Sequence, residues 1–178
     1  MSTLSVTAAT PLDAVSVEAL LDAAAAWHQS RGISQWRPGQ FPEEIRLTIA
    51  NGDLYVARFE GAIVGCFMLE GQISPLMTRW LIERDRVPAQ GVHLGRLAVA
   101  REETGRGVGV DLLNAACALA AQRGFAYVRL DCPSENARLR RYYLEAGFSY
   151  CGDVNTRGPN GERWVSSVFE RPTEPESS

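Results

Sequence analysis

Residues 91–131 constrain the fold more than any other part of the chain. Gly91 to Val99 is an apolar run rich in strand formers, and Thr104-Gly105-Arg106-Gly107-Val108-Gly109 follows it closely. A helix then opens from Val110, carried by an apolar stripe at Val108, Leu112, Leu113, Ala116, Cys117 and Ala120. Arg123-Gly124 ends it, and Phe125 to Asp131 reads as a second strand. A strand, a crossover helix and a strand make a right-handed parallel unit. All-helical folds and purely antiparallel sheets are thereby excluded.

The flanking segments add antiparallel strands and further helices. Val6 centres a short first strand, and a helix runs from Asp13 to about Arg31 with Val17, Leu20, Leu21, Ala24 and Trp27 on one face. Asp13 is placed to cap that helix and Gly32 to stop it. After the turn at Trp36-Arg37-Pro38-Gly39, a second helix spans Pro42 to Asn51-Gly52. Leu54–Phe59 and Ala62–Leu69, joined by Glu60-Gly61, predict a hairpin. The stretch 71–90 is less regular, with one or two helical turns over Met77–Glu83. A last helix covers 136–146 and closes on Gly147, and strands lie near 148–154 and 163–170. The expected class is α/β in the mixed α+β sense, with a twisted, mostly antiparallel sheet of about 6–7 strands and about four helices on its two faces. One domain over 1–171 and a flexible tail over 172–178 are expected, with no internal repeat.

Composition narrows the chemistry. All 18 basic residues are arginine, so a lysine Schiff base and a P-loop lysine are both ruled out. A net charge of −3 speaks against nucleic acid as a partner. His28 and His93 stand 65 residues apart, and Cys66, Cys117, Cys132 and Cys151 lack C-x-x-C spacing, so no metal is expected. The cysteines read as small buried hydrophobes. No G-x-S-x-G elbow is present. With no apolar run of membrane-spanning length and no leader pattern in residues 1–15, a cytoplasmic protein without a membrane partner is expected.

The glycine loop admits two readings. Glycines let a backbone curl around an anion, and a helix start offers free N–H groups and partial positive charge, with Arg106 as an added cation. The same residues could equally form a tight turn with no ligand. The segment NARLRRYYLEAGF, with Asn136, Tyr142, Tyr143, Gly147 and Phe148, decides between them. Together the two segments resemble the GCN5-related N-acetyltransferase (GNAT) superfamily, whose signature is [QR]-x-x-G-x-G/A after the fourth strand and a later N-x-x-A-x-x-L-Y-x-x-x-G-F-like helix. Gly107 and Gly109 match the required glycines, and Asn136, Tyr143 and Gly147-Phe148 match the second motif. Thr104 stands where Gln or Arg is usual, and Leu139 replaces a small residue.

The resemblance implies a GNAT-like fold with splayed fourth and fifth strands, and acetyl-CoA lying where they part, near Val99 and Asp131. Pantetheine would pair with Leu97, Ala98 and Val99, and the pyrophosphate would rest on the amides of Gly105, Arg106, Gly107, Val108, Gly109 and Val110, with Thr104 and Asn136 nearby. Arg101 or Arg106 would replace the contact missing at Thr104. An amine of a small molecule or peptide would attack directly, an N–H near Ala98 or Val99 would hold the oxyanion, and Tyr143 would protonate the departing thiolate, with Tyr142 as substitute. Glu70, His93 and Asp131 remain alternative bases beside a water chain. Acceptor contacts are expected from Gln35, Trp36 and Phe41, with Trp80 and Trp164 further candidates, whereas Trp27 reads as core. The alternative is a CoA-binding module that transfers nothing, for which the Thr104 departure leaves room. A homodimer through Trp164–Phe169 and a monomer are both open.

Overall fold

The computed structural model describes residues 3–33, 35–157 and 161–174. Seven strands lie in the order β1-β2-β3-β4-β5-β7-β6. They are β1 (Ser5–Ala8), β2 (Leu54–Phe59), β3 (Ala62–Glu70), β4 (Gly91–Val99), β5 (Tyr127–Pro133), β6 (Ser149–Arg157) and β7 (Arg163–Pro172). The helices are α1 (Ala14–Ser30), α2 (Pro42–Asn51), α3 (Pro75–Ile82), α4 (Val108–Gln122) and α5 (Ala137–Glu145). All strand pairs with a recorded register are antiparallel except β4 with β5. The expected mixed, mostly antiparallel sheet is therefore the observed one, with a fifth helix, α3, beyond the four expected. The chain divides into two compact units, Met1–Leu69 with Gly95–Ala115, and Glu70–Leu94 with Ala116–Ser178.

In the first unit, β2 and β3 are joined by Glu60 and Gly61 at φ 51° and 84°. Positive φ at both positions gives a two-residue turn whose twist matches that of the strands. Pro42 opens α2, and Gly52, at φ 74°, closes it. Asp13 does not cap α1 in the expected manner. Its backbone is already helical, and its Oδ2 accepts from the Thr10 N–H at 2.8 Å and the Thr10 hydroxyl at 3.1 Å. Asp13 thus secures the short turn Pro11–Asp13 that leads into the helix, and it pairs with Arg58 on β2. The core joins Val17, Leu21 and Ala25 of α1 to Trp36, Phe41, Ile45, Leu54, Val56, Cys66 and Met68.

In the second unit, β4 and β5 form a short parallel ladder that pairs Gly91–His93 with Tyr127–Arg129. β7 lies antiparallel between β5 and β6. The Ser74 hydroxyl accepts from the Met77 N–H at 3.2 Å and starts α3, which packs Trp80 and Leu81 against Val154 and Val168. Arg129 is 5% exposed, with Nε donating to Glu170 at 2.6 Å and Nη1 to the carbonyls of Val87 and Pro88. β5 begins at Tyr127, later than the expected Phe125. Pro172, expected to open the tail, belongs to β7, and the Thr173 N–H donates to the Ala126 carbonyl at 2.9 Å. Residues 175–178 of that tail lie outside the described residues. Among the described residues, no helix is long and apolar enough to cross a membrane.

Candidate active site

The glycine loop follows β4 and a short turn at Arg101–Glu103. Gly105 and Gly107 sit at φ 85° and 82°, which disfavours any residue with a Cβ. A Cβ built at either would meet nothing within 4 Å, so glycine serves backbone angle here and not space. α4 starts at Val108, two residues before the expected Val110. The Asp111 N–H donates to the Gly107 carbonyl at 3.0 Å, so the amides of Val108, Gly109 and Val110 precede the helical ladder. Three such amides at the positive end of a helix dipole suit a phosphate. Of the amides expected between Gly105 and Val110, that of Arg106 turns back to the Glu103 carbonyl at 3.3 Å.

Both cations expected to compensate for Thr104 have other partners. The Arg106 side chain reaches Glu103 at 3.2 Å, and the Arg101 guanidinium stacks 4.1 Å from the Trp27 ring centroid. Thr104 is exposed. The free donors that the loop presents are therefore backbone amides.

At the end of β4, Ala98 is buried, with Leu97 and Val99 half-buried beside it. The Ala98 amide lies against the Cys66 sulfur, and the Ala100 N–H donates to the Val64 carbonyl at 2.8 Å. Alternation along a strand turns the intervening Val99 N–H to the opposite edge. Of the two oxyanion candidates, only Val99 has that orientation. One residue upstream of this triplet, Arg96 adopts φ 50° in mid-strand. Its carbonyl accepts from the Cys66 thiol at 3.6 Å, and its Nε contacts Glu44 Oε1 at 3.0 Å. This pair was not anticipated from sequence, where Glu44 is one of two acidic residues opening a helix and Arg96 one arginine in an apolar run.

Tyr143 lies in α5, which Asn136 caps through Oδ1 and the Leu139 N–H at 3.0 Å. Asn136 thus orients the tyrosine helix through its Oδ1. The Tyr143 ring packs on Phe148 and Phe169, with centroids at 6.0 and 5.8 Å. Burial, helped by Cys132, Tyr142 and Asp131, pushes its hydroxyl well above the ordinary tyrosine value. The group is neutral and holds its proton at physiological pH. Half-buried Tyr142 is raised in the same direction by burial.

Two of the three base candidates meet each other, with His93 Nε2 3.3 Å from Asp131 Oδ1. Glu70, half-buried at the end of β3, is the third. Trp36 and Phe41, expected in an acceptor pocket, are 7% and 0% exposed and belong to the first unit's core. Trp27, expected in the core, is half-buried at the end of α1. His28 bridges the two tryptophans edge-on, 5.4 Å from Trp27 and 5.6 Å from Trp36. Its Nδ1 is buried without a hydrogen-bond partner among the described residues, and burial, then Arg101, lowers its pKa. Gln35 and Trp164 are half-buried. Trp80 donates its indole N–H to the Asp153 carbonyl at 2.9 Å and is a core residue of the second unit. Among the described residues, no three His, Cys, Asp or Glu side chains gather as metal ligands would.

Comparison with known proteins gives a consistent answer. Residues 21–148 match the profile of the acetyltransferase (GNAT) family. The uncharacterized N-acetyltransferase YesJ of Bacillus subtilis is 28% identical over 150 residues, which is 79% of this chain and 78% of that protein. A GNAT-family acetyltransferase structure from Listeria monocytogenes superposes with a TM-score of 0.74 at 23% identity, covering 95% of this chain and 94% of its own. A Salmonella typhimurium structure, solved with acetyl-CoA as its cofactor, gives a TM-score of 0.69 at 16% identity over 98% and 96% of the two chains. The profile match spans most of the chain and contains both glycine-loop and tyrosine-helix motifs, so this protein belongs to the GNAT acetyltransferase family.

Proposed function

We propose that this chain is a single-domain N-acetyltransferase that moves the acetyl group of acetyl-CoA to a primary amine of a small molecule or peptide. The backbone supports donor binding, since two left-handed glycines curl the loop and three helix-start amides meet an anion. Acetyl-CoA supplies an activated thioester, and the residues of this chain do the rest. The amine nitrogen bonds to the acetyl carbon while the Val99 N–H stabilises the oxyanion. The carbon–sulfur bond then breaks, and the thiolate takes the Tyr143 proton. His93, oriented by Asp131 at 3.3 Å, is our candidate to take the proton the amine must lose.

The observation that carries this reading is Tyr143. It is the tyrosine of the second motif, carried on the helix that Asn136 caps and held by its packing on Phe148 and Phe169, so its phenol has a fixed place from which to donate. Tyr143→Phe removes the proton and leaves the ring packed on Phe148 and Phe169. Its turnover, followed by thiol release, is expected to fall by about a hundredfold, the lower end of general acid–base contributions. The acetyl-CoA dissociation constant should stay the same in calorimetry. Unchanged turnover would remove Tyr143 from the mechanism.

A further inference from the structure

The Glu44–Arg96 pair has no part in donor binding or proton transfer as described above, and its setting is unusual for a structural ion pair. Arg96 Nε sits 3.0 and 3.1 Å from the two Glu44 oxygens. The two side chains keep 27% and 31% of their surface open, so solvent reaches both charges. Ion pairs this exposed stabilise a fold little, whereas a non-glycine residue at φ 50° costs stability. A guanidinium that solvent reaches can also be reached by a dissolved anion, and that would be a use outside folding.

The surroundings suggest that use. The Arg96 guanidinium lies 5.6 and 5.5 Å from the Trp36 and Phe41 ring centroids, which form a buried floor beneath it. Glu44 occupies the Nε edge, and the Nη1 and Nη2 donors form the planar fork that binds carboxylates in two parallel hydrogen bonds. Arg31 and Arg101, both over Trp27, add positive charge to the same aromatic cluster. Arg96 also directly precedes Leu97–Val99, the strand segment assigned above to pantetheine, with the Val99 N–H assigned to the oxyanion.

We propose that Glu44 and Arg96 anchor the acceptor, and that the acceptor is an amine carrying its own carboxylate, a free amino acid or a close analogue. Its carboxylate takes the Arg96 fork, and its ammonium pairs with Glu44 on entry. This proposal rests on the acetyltransferase reading.

The test is a matched panel of free amino acids, their carboxamides and the corresponding decarboxylated amines, with a set of short peptides, read by thiol release at saturating acetyl-CoA. At least one amino acid should exceed its carboxamide in kcat/KM by about tenfold or more, as a site built around a polar group rejects analogues that lack it. Arg96→Gln should erase that advantage through KM while donor affinity holds. Arg96→Gly suits the left-handed backbone and removes the guanidinium, so it should behave alike even where the glutamine variant folds poorly. Equal rates for amino acids and carboxamides would overturn the proposal, and so would a preference that survives in both variants. Turnover of peptides alone would overturn it and leave the acetyltransferase reading intact. Acetyl-CoA binding with no turnover of any amine would overturn both.

Discussion

Alanine at Gly107 separates two demands placed on one residue. Gly107 has φ 82°, and a Cβ there meets no atom within 4 Å, so the substitution adds a backbone penalty and no clash. For an L-residue that penalty is about 1–2 kcal/mol. If the loop keeps its shape, the penalty comes off stability, lowering the melting temperature by roughly 2–8 °C in a chain of this size. If the loop relaxes to negative φ, stability is spared and the amides of Val108, Gly109 and Val110 turn away from the anion. Donor binding must then restore the strained form, and affinity falls by about 5–30-fold, since ~1.4 kcal/mol is a factor of ten. Thermal melts and calorimetric titration with acetyl-CoA read the two losses on the same protein. Gly52→Ala is the control, because Gly52 sits at φ 74° with equally open space but only ends α2. It should lose stability and bind the donor normally. A Gly107→Ala protein that melts and binds like wild type would refute the reasoning, because the strain has to appear in one of the two.

Two further predictions concern packing and pH. A Cβ at Gly65 would stand 2.7 Å from Leu112 Cδ1 and 3.1 Å from the Ala98 carbonyl, so Gly65→Ala should cost roughly 1–3 kcal/mol in urea unfolding. Leu112→Ala in the same chain should return part of that loss, and full additivity of the two costs would show that they do not clash. Full burial pushes the Cys66 thiol from 9.0 up to about 12. A folded pKa above the unfolded one means this contribution is complete below pH 9 and is lost as pH rises toward 12. Cys66→Ala should therefore flatten the fall in melting temperature across that window, and parallel slopes would count against it.

What could be read from sequence was chemistry that acts within a few residues. The Glu60-Gly61 turn, the proline and glycine that bound α2, and the glycines ahead of α4 each impose a backbone angle locally, and all are where the sequence placed them. Errors arose where one signal had two causes. Phe125 reads as the start of a strand because it is apolar, yet its N–H donates back to the Ala120 carbonyl at 3.0 Å and helps close α4. The ladder begins later, at Tyr127. Asp13 stands where a helix cap belongs, but its carboxylate serves Thr10 and Arg58 across a turn.

The two tryptophans near the α1–α2 connection show why the candidate site was only half legible. Helical spacing places Trp27 on the apolar face, but periodicity gives a direction and not the extent of the core. In the last turn of α1 that face carries Arg31 and Arg101 on the indole. Trp36 follows a turn and has no periodic neighbours, and it is buried because the connection is fastened by its contacts with His28 and Phe41. Glu44 and Arg96 are 52 positions apart and meet only through the tertiary fold. A donor site made of backbone angles leaves a trace in glycine spacing, whereas an acceptor site made of side chains from distant segments leaves none. Family membership was therefore readable from two short stretches, the glycine loop and the tyrosine helix, whereas the acceptor proposal rests on contacts of Arg96 with Glu44, Trp36 and Phe41 that only the fold brings about.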